Sequence, residues 1–145
     1  MRDGALMSTK GRKAELKAID GGLKGVPKPS ANLPKVMADE WTSICADMVE
    51  REILSTPALG LVETYLIARW TVLEAQAAIA KHGVLIEAAT RNLKPNPACG
   101  LLVKALEAVA RLGAELGISP AARSKREFQS KGGKRNEGAP AGLDL

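Results

Sequence analysis

The stretch TPALGLVETYLIARWTVLEAQAAIAKHG, residues 56–83, decides how the rest of the chain is arranged. It reads as one helix of about 26 residues, roughly 39 Å long at the usual rise per residue. Thr56 can cap its start, Pro57 suits the first helical position, and Gly83 is a typical stop. Charged side chains interrupt every apolar run, so the pattern does not indicate a membrane span, and no membrane partner is predicted.

This helix carries two apolar faces between two lines of polar residues, whereas an ordinary surface helix has one apolar stripe. The stronger face consists of Leu59, Val62, Leu66, Trp70, Leu73, Ala77 and Ala80. The second face consists of Leu61, Tyr65, Ala68, Val72, Ala75 and Ile79. Such a helix must be covered from two sides. It is either the central helix of its own domain or it turns one face to a neighbouring subunit, and the sequence leaves both arrangements open. The candidate subunit contact consists of Leu61, Tyr65, Ala68, Val72 and Ile79.

Shorter helices are predicted on both sides of the central one, over residues 37–52, 97–116 and 121–128. Residues 84–94 are the one region with β-forming composition, and they predict a small hairpin. A short apolar link before residue 56 implies antiparallel neighbours. The predicted fold class is therefore all-α in the main, an antiparallel helical bundle around one long central helix with a small β-hairpin.

Composition divides the chain into three parts. Residues 1–35 are rich in Lys, Arg, Gly and Pro and predict a flexible basic N-terminal arm. Residues 36–128 predict a helical oligomerisation core. Residues 129–145 predict a disordered C-terminal tail, because Gly, Lys, Asn and Pro dominate them.

The net charge of +5 conceals an uneven distribution. The arm has 8 Lys and Arg against 3 Asp and Glu, residues 36–90 have 3 against 8, and residues 91–127 have 7 against 3. Basic segments on both sides of an acidic middle are typical of proteins that bind nucleic acid, although they also serve solubility. The arm contains no aromatic residue on which a base could stack, which favours contact with phosphates. The predicted DNA-binding residues are Arg12, Lys13, Lys17, Lys24, Lys28, Arg123, Lys125 and Arg126.

No set of residues points to catalysis. His82 is the single histidine and lies at a helix end, where a capping role is the better interpretation. Cys45 and Cys99 have no CxxC spacing and read as small core residues of a reducing compartment. No glycine-rich phosphate loop and no metal-ligand spacing is found in the sequence, so no catalytic residue, cofactor or metal is predicted. These features favour an oligomeric binding module.

Several local features, in order, resemble one family. These are Gly11-Arg12-Lys13, Trp41, Ile53-Leu54-Ser55-Thr56, Tyr65, Trp70, Lys94-Pro95-Asn96-Pro97 and the segment ELGISPAAR at residues 115–123. Together they make the chain resemble the small terminase subunit of tailed bacteriophages, in its short and mostly helical form.

The resemblance implies a non-catalytic, ring-forming protein of the host cytoplasm. Such a protein recognises double-stranded viral DNA, delivers it to the terminase large subunit and modulates the ATPase and nuclease of that subunit. Two alternatives stay open. One is a small oligomeric DNA-binding regulator, and the other is a structural adaptor whose basic ends only aid solubility.

Overall fold

The computed structural model describes residues 22–124, and the description below refers to these. In chain order the elements are a 3-10 turn (Lys35–Met37), α1 (Ala38–Glu50), α2 (Thr56–His82), β1 (Leu85–Glu87), β2 (Leu93–Pro95), α3 (Pro97–Glu115) and α4 (Pro120–Arg123). This confirms the mainly helical fold with a small antiparallel hairpin. The predicted tail, residues 129–145, lies outside the described part of the chain.

The helix ends follow their local signals, with one correction. Asn96 and Ser119 each accept a hydrogen bond from a backbone N–H of the helix that follows, and a proline occupies the first helical position after each. Gly83 ends α2 with a φ of 88° and donates its N–H to the Ile79 carbonyl at 2.7 Å. The cap predicted at Thr56 is wrong. Ser55 is the extended residue before α2, and Thr56 is already helical, which shifts Pro57 to the second position.

The hairpin closes without the Asn-Gly pair that a two-residue turn requires. Leu85 pairs with Pro95, Ile86 with Lys94 and Glu87 with Leu93. The Ala88 N–H donates to the Asn92 carbonyl at 2.9 Å, so three residues form the turn. The last of them, Arg91, has a φ of 65°. A three-residue loop that ends in the left-handed region is a common hairpin connection, which explains why Ala89 and Thr90 suffice.

The bundle has a packed proximal half, which comprises α1, residues 56–70 of α2, residues 109–115 of α3, and α4. Its core joins large side chains from all three long helices, and the most deeply buried include Met37, Leu54, Val62 and Leu66. Within α2 the stripe of Val62 and Leu66 meets α1, and Arg69 continues it with a two-pronged ion pair to Glu40, at 2.6 and 2.9 Å. That carboxylate raises the pKa of the Arg69 guanidinium further above its ordinary value.

The second face of α2 is covered by α3 of the same chain. Tyr65 is buried, and its ring lies 3.5 Å from the place that a Cβ on Gly113 would occupy. Ala68, Val72 and Ala75 follow Tyr65 at spacings of three and four, so they share its face and run along α3. The structure shows that this face packs against α3 within the domain, and its predicted contact with a neighbouring subunit stays a prediction.

The distal half consists of residues 71–82 of α2, both strands, and residues 97–108 of α3. α1 is shorter than α2 and leaves this half without a third helix. Between residues 71 and 108, all of them described, the buried residues are Ala75, Asn96 and Ala105. No large apolar side chain is buried there, so the distal half is a pair of antiparallel helices joined by a hairpin and lacks a core of its own.

Candidate nucleic-acid interface

The structure describes three of the eight predicted DNA-binding residues. Lys24 and Lys28 are exposed in the segment before α1, and the Arg123 side chain is half exposed at the end of α4. The other five, which lie outside the described residues, are Arg12, Lys13, Lys17, Lys125 and Arg126.

The described part of the predicted arm, residues 22–34, lies against the bundle. The Leu23 N–H donates to the Leu54 carbonyl at 2.9 Å, and the Trp41 indole Nε1–H donates to the Pro27 carbonyl at 2.9 Å. Leu33 is buried in the core at the end of the segment. The chain therefore runs along α1 from the C-terminal end of that helix to its N-terminal end. This anchoring was not predicted, because the prolines and glycines of the segment show only that it is not helical.

This course places lysines in a row beside α1. Lys24 lies at the C-terminal end of α1 and Lys28 farther along. Lys35 follows in the 3-10 turn and is also exposed. Lys35 was missed as a candidate because it falls at the predicted boundary between arm and core. In the sequence it can be found as the next lysine after Lys24 and Lys28, and it extends this row of cations by one side chain.

Both described ends of the chain lie at the proximal end of the bundle. A Cβ on Gly22 would stand 3.6 Å from the Leu54 carbonyl oxygen, in the link between α1 and α2. Arg123 reaches Asp47 of α1, and the neighbouring Arg51 donates to the Gly117 carbonyl at 3.2 Å. The two basic flanks of the sequence, residues 1–21 and 125–145, are thus attached at the end of the bundle opposite the hairpin.

One carboxylate at this end holds two guanidinium groups. Asp47 accepts from Arg51 at 2.5 Å and from Arg123 at 3.1 Å. The Arg51 side chain is 9% exposed, whereas that of Arg123 is 50% exposed. Of the two guanidinium groups, that of Arg123 faces water. A half-exposed guanidinium in this position can accept an additional anionic partner such as a phosphate oxygen.

The predicted subunit-contact residues are mostly turned inward. Of the five, Leu61 is exposed at 39%, Ala68, Val72 and Ile79 are half-buried, and Tyr65 is buried. Their role between subunits stays a prediction. The packing against α3 within the protomer, however, leaves little of Tyr65 for a second chain to cover.

The titratable and thiol groups show no assembled reaction centre in residues 22–124. No group of three His, Cys, Asp or Glu residues that could hold a metal occurs among them. Cys45 is fully buried, and burial raises the pKa of its thiol, which suits a core residue. His82 is exposed at the last position of α2. No helix in this part of the chain is long and apolar enough to cross a membrane.

Comparison with models of known protein families gives a match over the helical part of the chain. A model of the family described as phage terminase, small subunit, matches residues 38–132, which is more than half of the chain. The matched region begins at the first residue of α1 and includes all the long helices and the hairpin. No curated protein and no solved structure matches the chain.

Proposed function

The chain belongs to the phage terminase small subunit family and has a role in phage DNA packaging, and on this premise we propose that it is the non-catalytic, DNA-recognising subunit of the packaging machine. Copies of the chain assemble into a homo-oligomeric ring. The ring binds double-stranded viral DNA, delivers it to the terminase large subunit and modulates the ATPase and nuclease of that subunit in the host cytoplasm.

The observation that carries the proposal is that both basic flanks are attached at one end of the bundle. Lys24 lies beside the attachment of the N-terminal flank, and Arg123 lies beside that of the C-terminal flank. In a ring every subunit would present this end on the same rim. Contacts that are weak in one subunit would then add up through multivalency on one DNA molecule.

Phosphate contact is the mode of binding that fits these residues. The described row of cations consists of lysines beside a proline-containing segment, without aromatic side chains for stacking between residues 22 and 35. Binding of this kind releases counterions, so its affinity should fall steeply as salt is raised. Sequence recognition would need contacts to base edges in addition.

The test is charge reversal in the N-terminal flank. The triple variant Arg12→Glu, Lys13→Glu and Lys17→Glu should lose DNA retention at low salt while the native mass stays that of the wild-type oligomer. The matched control is Arg12→Lys, Lys13→Arg and Lys17→Arg, which replaces the same side chains and keeps their charge. The control should keep DNA binding.

Three results would contradict the proposal. If DNA retention survives the flank triple, the flank does not carry the contact. If the protein is a defined dimer that binds a palindromic site, it is a regulator. If a stable oligomer fails to bind DNA at low salt, it is a structural adaptor. Addition of the protein to the purified large subunit should also change the rate of ATP hydrolysis.

A further inference from the structure

The distal half exposes a concentration of large apolar side chains. Seven of the eleven exposed large apolar residues in the described chain lie between residues 73 and 106. These are Leu73, Val84, Leu85, Leu93, Leu101, Val103 and Leu106, with exposures from 44 to 69%. Scattered single exposures are normal, but a concentration of this kind marks an interaction surface.

The exposed residues of α2 continue an apolar stripe whose first part is covered by α1. Val62, Leu66 and Arg69 meet α1, and Leu73, Ala77 and Ala80 continue the same spacing of three and four beyond the end of α1. Val62 and Leu66 are fully buried, whereas Leu73 is 44% exposed and both alanines are exposed. The surface therefore has the form of a helix-binding stripe whose second half has no helix.

On α3 three exposed residues and the half-buried Cys99 follow the spacing of a coiled coil. Cys99, Val103, Leu106 and Ala110 are separated by four, three and four residues. Val103 and Leu106 are 55% and 48% exposed. Ala105 and Leu112 are buried instead, and Leu106 is turned about 100° away from Ala105.

We propose that neighbouring copies of this chain cover the distal half, through Leu73 of α2 and the stripe of Val103 and Leu106 on α3. The inference deepens the proposed function, on which it rests, by naming the surface that builds the ring. It places the subunit contact at the hairpin end, away from the basic flanks.

Three observations favour a second copy over another occupant. Two short antiparallel helices without buried large side chains are only marginally stable in water. A partner that covers them must therefore be present whenever the chain is folded, and a second copy of the chain meets this condition. Seven large side chains of this exposure leave several hundred Å² of apolar surface on different sides of the protomer, which the two neighbours of a subunit in a ring can cover. The exposed charges of α3 alternate in sign, so a second copy can match them. They are Lys104, Glu107, Arg111 and Glu115.

The distribution of the leucines also indicates the type of contact. Leu101 and Leu106 are both about half exposed and lie roughly 140° apart around α3, so they open to different sides. Two distinct surfaces on one protomer permit a head-to-tail contact, which closes into a ring when the rotation allows it. A two-fold dimer would need only one of them.

The test is a pair of charged substitutions at exposed positions of the distal half. In the full-length chain, Val103→Glu with Leu106→Glu should reduce the native mass from that of the oligomer to 15.3 kDa, the mass of one chain. Amide exchange over residues 71–108 should become faster, while exchange over residues 56–66 stays slow. The matched control, Val26→Glu with Val36→Glu, changes side chains that are 41% and 66% exposed in the segment before α1 and should leave the mass unchanged.

The outcomes separate this inference from the proposed function. If the distal pair leaves the oligomer intact, or if a wild-type monomer protects residues 71–108 from exchange, the inference is overturned. If the pair gives the monomer as expected but the wild-type oligomer does not retain DNA, the surface assignment holds and the DNA-binding function fails.

Discussion

The two halves of the α2–α3 helix pair are built from similar residues but differ in what lies beside them. In the proximal half α1 fills the groove, and Val62 and Leu66 are fully buried. In the distal half the same stripe of α2 continues to Leu73, which is 44% exposed. The difference shows that an apolar stripe of constant spacing does not ensure burial, because burial depends on the length of the neighbouring helix.

The largest expected effect comes from truncating one leucine of this stripe on each side of the boundary between the two halves. Leu66→Ala should lower the free energy of unfolding by about 3 kcal/mol, at any protein concentration, because it leaves a cavity in a filled core. Leu73→Ala should cost little in the protomer, and its cost should depend on protein concentration through assembly. Urea denaturation at two protein concentrations measures both. Equal and concentration-independent losses would show that the two halves do not differ.

A smaller effect on stability is expected at Asn96, whose hydrogen bonds join the two helices of the distal half. Asn96 is buried, accepts from the Ala98 N–H at 2.9 Å, and donates its side-chain amide to the Gly83 carbonyl at 2.8 Å. It thus ties the end of α2 to the start of α3. Asn96→Ala should cost about 1–2 kcal/mol, because a cap and a second hydrogen bond are lost together.

The matched control for Asn96→Ala is Ser119→Ala, which removes only the cap of the four-residue α4. It should cost under about 1 kcal/mol. Thermal unfolding monitored by circular dichroism gives both values. If the serine variant is the more destabilised of the two, the distal half does not depend on Asn96.

The smallest effect is expected at the proximal end, where Asp47 shares its charge between Arg51 and Arg123. If Arg123 contacts phosphate, Asp47→Asn should raise DNA affinity by about threefold, because a half-exposed ion pair is worth at most about 1 kcal/mol. Asp39→Asn, at the exposed start of α1, is the control and should change affinity less. Titration of labelled duplex DNA at two salt concentrations measures the difference. An equal gain in DNA affinity in both variants would indicate an effect of net charge and not of the ion pair between Asp47 and Arg123.

Much of the fold could be predicted because its signals are local. The cap-and-proline pairs at Asn96 and Ser119 and the stop at Gly83 involve residues within one turn of each other, and each was placed correctly. The turn of the hairpin could not be located in this way, because Arg91 adopts a positive φ that its residue type does not indicate. The anchoring of residues 22–34 was also missed, since the hydrogen bond from Trp41 to Pro27 joins residues far apart in sequence.

For the candidate site, the residue types could be predicted but not their arrangement. Charge and composition indicated the basic segments, and the structure leaves Lys24, Lys28 and Arg123 accessible. That both flanks attach at the same end of the bundle follows only from the path of residues 22–34 and from the contact of Arg123 with Asp47. No periodicity along the chain contains this information.

The sequence by itself determined that α2 is one long helix with two apolar faces, because side-chain spacing and helix-end residues act over a few positions. Only the tertiary structure showed how far each face is covered within the protomer. Tyr65 packs against Gly113 of α3, and the stripe of Leu66 is covered as far as α1 extends. The reason is geometric, since helices of 13 and 27 residues packed side by side cannot cover each other over their full length.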